Sequence, residues 1–497
     1  YFNDLDIGNF HLSSKNKFIL KSKSSPLKSF KYDGDFKFTE INVKSKIILN
    51  GLKYNFKSRS LKNYITDYNN LIEFDNHKLD ASYINNKFSI KGQGTYSINN
   101  KKDNISYNVE FKNGDYFINS QIDLISNPIQ VNFLNYKKLE KKNSVLDIDA
   151  VYKKNKYIQF NKLIYKENKN RFIVNNLLFN NDLKIEYIDK IDLKFKNKNQ
   201  RNNQIIKKRD KKNYKISGKS FDSVILIDKL LNSKVKKKSF DILNNFNSEV
   251  SLKIDKSYLD NSSYLKKVDG KMEFLKNDLV NLDLSAVSNN DKKFSLSIKT
   301  NDNNEKITTL YLDYPKPFVK KYKFIKGFEE GSLDFTSVKK DNFSRSQLKI
   351  HDFKLKEVPI LTKILTLASL QGIADLLTGE GIRFDEFDMK FSNKDDLMTI
   401  DEIYAIGPAI SILMNGYAET NKLISLRGTL VPATTINKVI ASIPILGNIL
   451  IGKKTGEGVF GVSFKIKGPP KDLKTTVNPI KTLTPRFITR TLEKIKK

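Results

Sequence analysis

Cysteine and tryptophan are absent from this 497-residue chain, and histidine occurs only as His11, His77 and His351. Without cysteine there is neither a disulfide nor a thiolate metal site, which fits cytosol and periplasm alike. Three histidines this far apart offer no zinc-ligand spacing and no base for a nucleophile. The missing tryptophan removes the blade signature of the common propeller repeats. Long hydrophobic runs are missing too. A spanning helix needs about 20 consecutive apolar residues. The run VIASIPILGNILI (439–451) is shorter and is broken by Pro444 and Gly447, and residues 359–377 carry Lys363, Gln371 and Asp375. The chain starts at Tyr1 rather than methionine, so an upstream segment holding a signal or anchor is expected.

Positive charge is abundant: 88 Lys+Arg against 55 Asp+Glu, a formal net charge of +33. A basic surface attracts nucleic acid or anionic membrane. Acids are interleaved almost everywhere, however, and Lys, Asn and Ile are common together, which reads as solvated faces. The densest runs, KKRDKK (207–212) and KVKKK (234–238), read as loops.

From about residue 36 to 350 the dominant period is two. Ile105, Tyr107, Val109 and Phe111 alternate with polar residues, Asn113-Gly114 follows, and Tyr116, Ile118, Ile122 and Leu124 resume the pattern. Asn-Gly between two alternating runs is the strongest short hairpin signal. Leu282, Leu284 and Ala286, then Phe294, Leu296 and Ile298, repeat it later. Helical spacing is scarce, the best candidate being 222–231, and parallel strands would need crossover helices. The expected fold is therefore mainly β: a long antiparallel meander with one apolar and one polar face. It closes as several sandwiches or a barrel, or curls into an extended groove of about 25 strands, on the order of 120 Å at about 4.8 Å each. An uncovered apolar lining implies a ligand or partner. Candidate lining residues are Tyr107, Val109, Phe111, Tyr116, Ile118, Leu282, Leu284, Phe294, Leu296 and Ile298.

The last third is more specific. LKIHDFKLKEVPILTKILTLASLQGIADLLTGEGIRFDEFDMKF (348–391) reads as strand, helix, strand, with Pro359 at the helix start and Gly379 past its end. A second apolar helix is expected over 432–451, and a basic one over 484–497, where Ile488, Leu492 and Ile495 share a side. Basic amphipathic helices sit on anionic lipid or are plain solvated termini. VPILTKILTLASLQG (358–372), YAIGPAISILMNGYA (404–418), GTLVPATTINKVIASIPILGNILIGKKTGEGVFGVSF (428–464) and VNPIKTLTPRF (477–487) together resemble the C-terminal region of the AsmA-like family, in its YhdP-type branch, which is related to TamB. Weaker similarity runs through GKSFD (218–222) and GFEEGSLDF (327–335).

The resemblance implies a repeating β-groove body over 1–350, with an upstream part missing, and an AsmA-like C-terminal region over 351–497 with its few apolar helices. It implies a bridge-like lipid transfer protein of the bacterial periplasm, anchored to the inner membrane by the absent segment and carrying phospholipid along the groove to the outer membrane. It brings no catalytic residues, so none are assigned, and no metal or cofactor is expected. Ile364, Leu367, Leu370, Ile436, Val439, Ile440, Ile443 and Ile449 are the candidate membrane-contact or groove-end positions; a helix packed into the core accounts for them equally. The alternative function is an assembly factor that holds outer-membrane strands at a sheet edge. Nucleic-acid binding rests on charge alone and is not expected. GKS at 218–220 is no phosphate loop, because the pattern's first glycine would fall on Asn213. Asp385, Glu386, Asp388, Asp395, Asp396, Asp401 and Glu402 read as solvated hairpin rather than catalytic carboxylates.

Overall fold

The computed structural model describes residues 5–6, 11–22, 38–55, 71–84, 87–225, 246–260, 262–319, 326–357, 359–367, 381–420, 422–432, 460–470 and 472–482. The chain is mainly β, as the alternation predicts, and the described strands do not close into a barrel. It divides into two compact units, Tyr1–Leu259 with Phe274–Asp278, and Asp260–Glu273 with Leu279–Lys497.

In the first unit the strands Leu71–Ile84, Lys87–Ile98, Lys101–Lys112 and Asp115–Asp123 pair in chain order, all antiparallel. The ladder continues through Ser144–Lys153, Tyr157–Glu167, Asn170–Asn180, Ile185–Lys196, Asn202–Asp210 and Asn213–Asp222. Most consecutive strands pair because their connections are short; residues 124–143 form the longer connection between Asp123 and Ser144. Asn113 and Gly114 form the expected hairpin turn with φ of 53° and 84°, the mirror-image geometry that matches strand twist. Ten of the 21 described non-glycine residues with positive φ are asparagine. The chain's asparagine content thus serves the turns and bulges, since asparagine tolerates the left-handed region that most side chains avoid.

Among the described pairings, one departs from the expected all-antiparallel order. Asn213–Asp222 and Ser248–Tyr258 run parallel, Tyr214 opposite Val250 and Gly218 opposite Ile254. A parallel neighbour requires a connection of a dozen residues or more, and residues 223–247 supply it. Asp222, the first residue of the expected 222–231 helix, ends its strand; Val224 and Ile225 are helical, and 226–231 lie outside the described residues.

The second unit repeats the plan. Asp278–Ser288, Lys293–Thr300, Lys306–Leu312, Lys326–Lys340 and Phe343–Glu357 pair in order, followed by Ile382–Lys394, Leu397–Ile406, Ile410–Glu419, Leu423–Pro432, Phe460–Gly468 and Lys474–Thr482. Two α-helices are described. Lys316–Val319 buries Pro317 and Val319. Pro359–Leu367 covers the first half of the expected 359–377 helix and packs beside the Lys474–Thr482 strand. The expected 432–451 helix is corrected at its first residue: Pro432 ends a strand opposite Ile410, a ladder end where a missing N–H costs little. Residues 433–451 and the whole of 484–497 lie outside the described residues.

Candidate functional site

Partners across an antiparallel ladder point to the same face, so the registers can be followed from strand to strand. In the first unit four rows emerge. One runs Tyr83, Phe88, Phe111, Tyr116, Tyr152, Ile158, Phe179, Ile185. The next runs Ala81, Ile90, Val109, Ile118, Ala150, Phe160, Leu177, Ile188. The third is Leu79, Gly92, Tyr107, Ser120, Ile148, Leu163, Val174, Ile191, Lys207, Ile216, Leu252. The fourth is Gly94, Ile105, Ile122, Leu146, Tyr165, Phe172, Leu193, Ile205, Gly218, Ile254. A shared bulge keeps the rows in step: Asn161, Asn176 and Asp189 drop out of the ladder on three successive strands, so three residues there do the work of two.

The expected lining residues Val109, Phe111, Tyr116 and Ile118 therefore stand side by side on one continuous apolar face. Tyr107 joins them with its ring laid over Gly92, where a Cβ would come within 2.4 Å of it. In a sandwich the middle of such a face would be sealed by the second sheet. Here Val109, Ile118, Ile148, Leu163, Val174 and Ile191 are only half-buried, and Tyr83 and Phe88 are 37% exposed. The single other sheet among the described residues is the pair Ile129–Val131 and Tyr136–Lys138. It covers one border of the face. Tyr136 packs edge-on against Phe172 and Phe195, with ring centres 4.9 and 5.7 Å away, and its hydroxyl donates to Glu167 Oε2 at 2.6 Å. Burial and that carboxylate hold the Tyr136 hydroxyl far above its ordinary pKa.

In the second unit Leu282 pairs with Ile298, and Leu284 with Leu296; Phe294 stands opposite Ala286. Leu282, Ala286 and Phe294 are buried and the other three half-buried. The row Ala286, Phe294, Leu312, Leu333, Ile350, Phe387, Ala405, Ile412, Leu430, Val462 is buried except at Phe387. Phe318 of the short helix stacks on Phe294 at 5.8 Å. The adjoining row from Leu284 and Leu296 through Phe335, Leu348 and Met389 stays half-buried. Of the candidate membrane-contact positions, Ile364 is fully buried and Leu367 is 49% exposed. Leu370, Ile436, Val439, Ile440, Ile443 and Ile449 lie outside the described residues.

Besides Ser120 in the third row, a histidine and a lysine interrupt the first unit's apolar face, and neither is legible from the sequence. His77 is 2% exposed, edge-on to Phe74 and stacked on Tyr107, and neither ring nitrogen has a hydrogen-bond partner. Burial lowers its pKa. The second is Lys207, in the third row between Ile191 and Ile216, with Arg209 two residues on, opposite Tyr214. The run 207–212 is thus not a loop throughout: 207–210 belong to the strand Asn202–Asp210, and the turn follows at Lys211. Strand alternation hides inside a block of like charges, and only the flanking Ile205 signals it. The run 234–238 lies outside the described residues.

The Lys207 ammonium sits 3.9 Å above the Tyr214 ring centre and donates to the Ile188 carbonyl. Desolvation brings its pKa down from 10.5 to about 7. Between pH 7 and 10.5 the unfolded chain therefore holds more protons than the folded one, so this group makes stability rise with pH across that window. Lys207→Met should raise the thermal midpoint at pH 7 by roughly 2–4 °C, since the ammonium is partly solvated and water carries a share of its charge. The gain should shrink at pH 8 and vanish only above pH 10.5. Calorimetry at three pH values checks this, and an equal gain at all three would exclude charge burial as the cause.

The opposite face is polar. A shallow cavity of about 590 Å³ lies there, lined by Lys91, Asn108, Asn119, Gln121, Asp147, Asp149 and Lys162 among others. Its carboxylates are occupied: Asp147 accepts from Gln121 and Lys166, and Asp149 from Asn161. Among the described residues no group of three or more His, Asp or Glu is placed to hold a metal, and no helix is long and apolar enough to cross a membrane. Gly218 and Ser220 lie within a strand. Asp388 is buried rather than solvated and accepts two hydrogen bonds from Gln347 at 2.8 and 3.0 Å, because alternation turns it onto a face that Tyr404 and Leu413 also occupy. No protein-family profile, curated protein or solved structure matches this chain.

Proposed function

We propose that this chain is a bridge-like lipid carrier, holding the acyl chains of phospholipid along its apolar strand faces and conducting them between the inner and outer membranes of a bacterial envelope. The reading rests on one observation: rows of aliphatic and aromatic side chains that continue over at least eight strands while staying half-exposed in the middle. Moving a chain of about 16 methylenes through water costs about 13 kcal/mol, at about 0.8 kcal/mol each. A continuous apolar strip lowers that barrier with no chemical step. An exposed face of this extent in a carrier is covered by its cargo. The resemblance of residues 358–372, 404–418 and 428–464 to the AsmA-like family supports the envelope setting and a periplasmic location.

The direct test is extraction. Protein purified without detergent and taken into organic solvent should release phospholipid in at least equimolar amount, as read by mass spectrometry. Lipid-free protein that also fails to take up a fluorescent phospholipid from vesicles would end the proposal.

A further inference from the structure

Across the four apolar rows of the first unit, among the described residues, charge enters at one place, Lys207 with its neighbour Arg209. We propose that these two side chains form a binding station for the anionic head group of an amphiphile whose hydrocarbon lies along the adjoining rows. This deepens the lipid-carrier reading and rests on it.

The charge balance of the cluster carries the argument. Two cations face one carboxylate: Arg209 Nη1 reaches Asp189 Oδ1 at 3.3 Å, and the other oxygen of Asp189 already accepts from Asn176 at 3.0 Å. The Arg209 guanidinium also lies over the Tyr187 ring, 4.2 Å from its centre, and its Nε is shut off from solvent with no acceptor. Lys207 rests on Tyr214 and uses one hydrogen for the Ile188 carbonyl. That carbonyl lies beyond the ladder's end, which begins at Lys190 opposite Lys208. With Lys207 protonated the cluster carries one uncompensated positive charge and more donors than acceptors, in surroundings where aromatic rings displace water, and an arriving oxyanion would itself favour the ammonium form. Such a site is strengthened by an incoming oxyanion. Ile191, Ile205 and Ile216 flank it, so carboxylate or phosphate bound there would have its hydrocarbon already on the apolar rows.

A purely structural role for Lys207 would be to satisfy the Ile188 carbonyl, which glutamine can also do without charge. The test therefore compares the intact chain with Lys207→Gln, Arg209→Gln and the double variant, using probes that share a tail and differ in head: oleate against oleyl alcohol, and dioleoylphosphatidylglycerol against dioleoylphosphatidylcholine. The intact chain should retain the anionic member of each pair about tenfold better. The double variant should lose that preference while keeping its uptake of oleyl alcohol, which also shows that it has folded. Equal retention of charged and neutral probes by the intact chain would overturn the station and leave the apolar-face reading standing. Retention of neither would overturn both. Inorganic phosphate displacing oleate at micromolar concentration would mean a site for free anions, and would refute a head group held by its tail.

Discussion

Ile118→Arg is expected to slow phospholipid transfer between vesicles by at least about tenfold while leaving the strand content unchanged. Ile118 sits in the second apolar row between Val109 and Ala150. Tyr116 is its neighbour along the strand toward the first row, and Ser120 toward the third. A guanidinium there puts a hydrated ion across a strip that hydrocarbon must follow. One strand width is about 4.8 Å, comparable to a few methylenes, and stripping water from the tail's path over that length costs about 2–3 kcal/mol at about 0.8 each. Part of a tail can deviate onto neighbouring rows, so the lower end applies, and 1.4 kcal/mol already amounts to tenfold. Folding tolerates the change because the site is half-exposed, which lets the long arginine stem lie on the apolar surface with its head in water. Asn119→Arg is the control. It adds the same charge one residue away on the polar face, where Asn119 is exposed opposite Asn108 and Asp149, and transfer should not change. Equal slowing by both variants would point to net charge or misfolding; no slowing by Ile118→Arg would remove the strip from the transport path.

What the sequence discloses here follows from the arithmetic of strands. Period-two alternation identifies both faces, and the Asn113-Gly114 turn fixes one register, so Val109 and Phe111 could be matched with Ile118 and Tyr116 before any coordinates. Features that depend on counting across many strands stay hidden. The coordinated bulge at Asn161, Asn176 and Asp189 shifts three strands together, and no local pattern reveals it, because each residue reads as an ordinary polar position. The parallel pair is hidden for a related reason: direction is set by where a 25-residue connection returns, not by composition. Lys207 is hidden by company, since five of the six residues in its run are basic. Asp388 shows the converse, since a carboxylate within an acidic hairpin reads as solvated although alternation turns it inward.

The joint beside the parallel pair should also be where the first unit is most easily broken. Asp222→Ala is expected to cost about 3–5 kcal/mol, the range for removing one partner of a buried ion pair. Asp222 and Arg201 have side chains 1% and 9% exposed, with Nη1 and Oδ1 2.9 Å apart. The second carboxylate oxygen accepts from Asn197 at 2.6 Å, and the Asp222 amide donates to Asn203 at 2.7 Å. Arg201 also lies over the Tyr258 ring at 5.1 Å, and Ser223 donates to the Tyr258 carbonyl at 2.7 Å. One carboxylate therefore ties together the start of Asn202–Asp210, the end of Asn213–Asp222 and the end of the parallel strand Ser248–Tyr258. Alanine would leave a desolvated guanidinium without its carboxylate, against a whole-domain stability of about 5–15 kcal/mol. Urea unfolding followed by circular dichroism should show the midpoint falling by about a fifth or more. Asp210→Ala, which breaks the exposed pair with Lys215, should leave it in place. The double change Arg201→Met with Asp222→Leu should recover most of the loss, because it removes both charges together. If it remains as unstable as Asp222→Ala, the loss comes from the asparagine contacts rather than the ion pair.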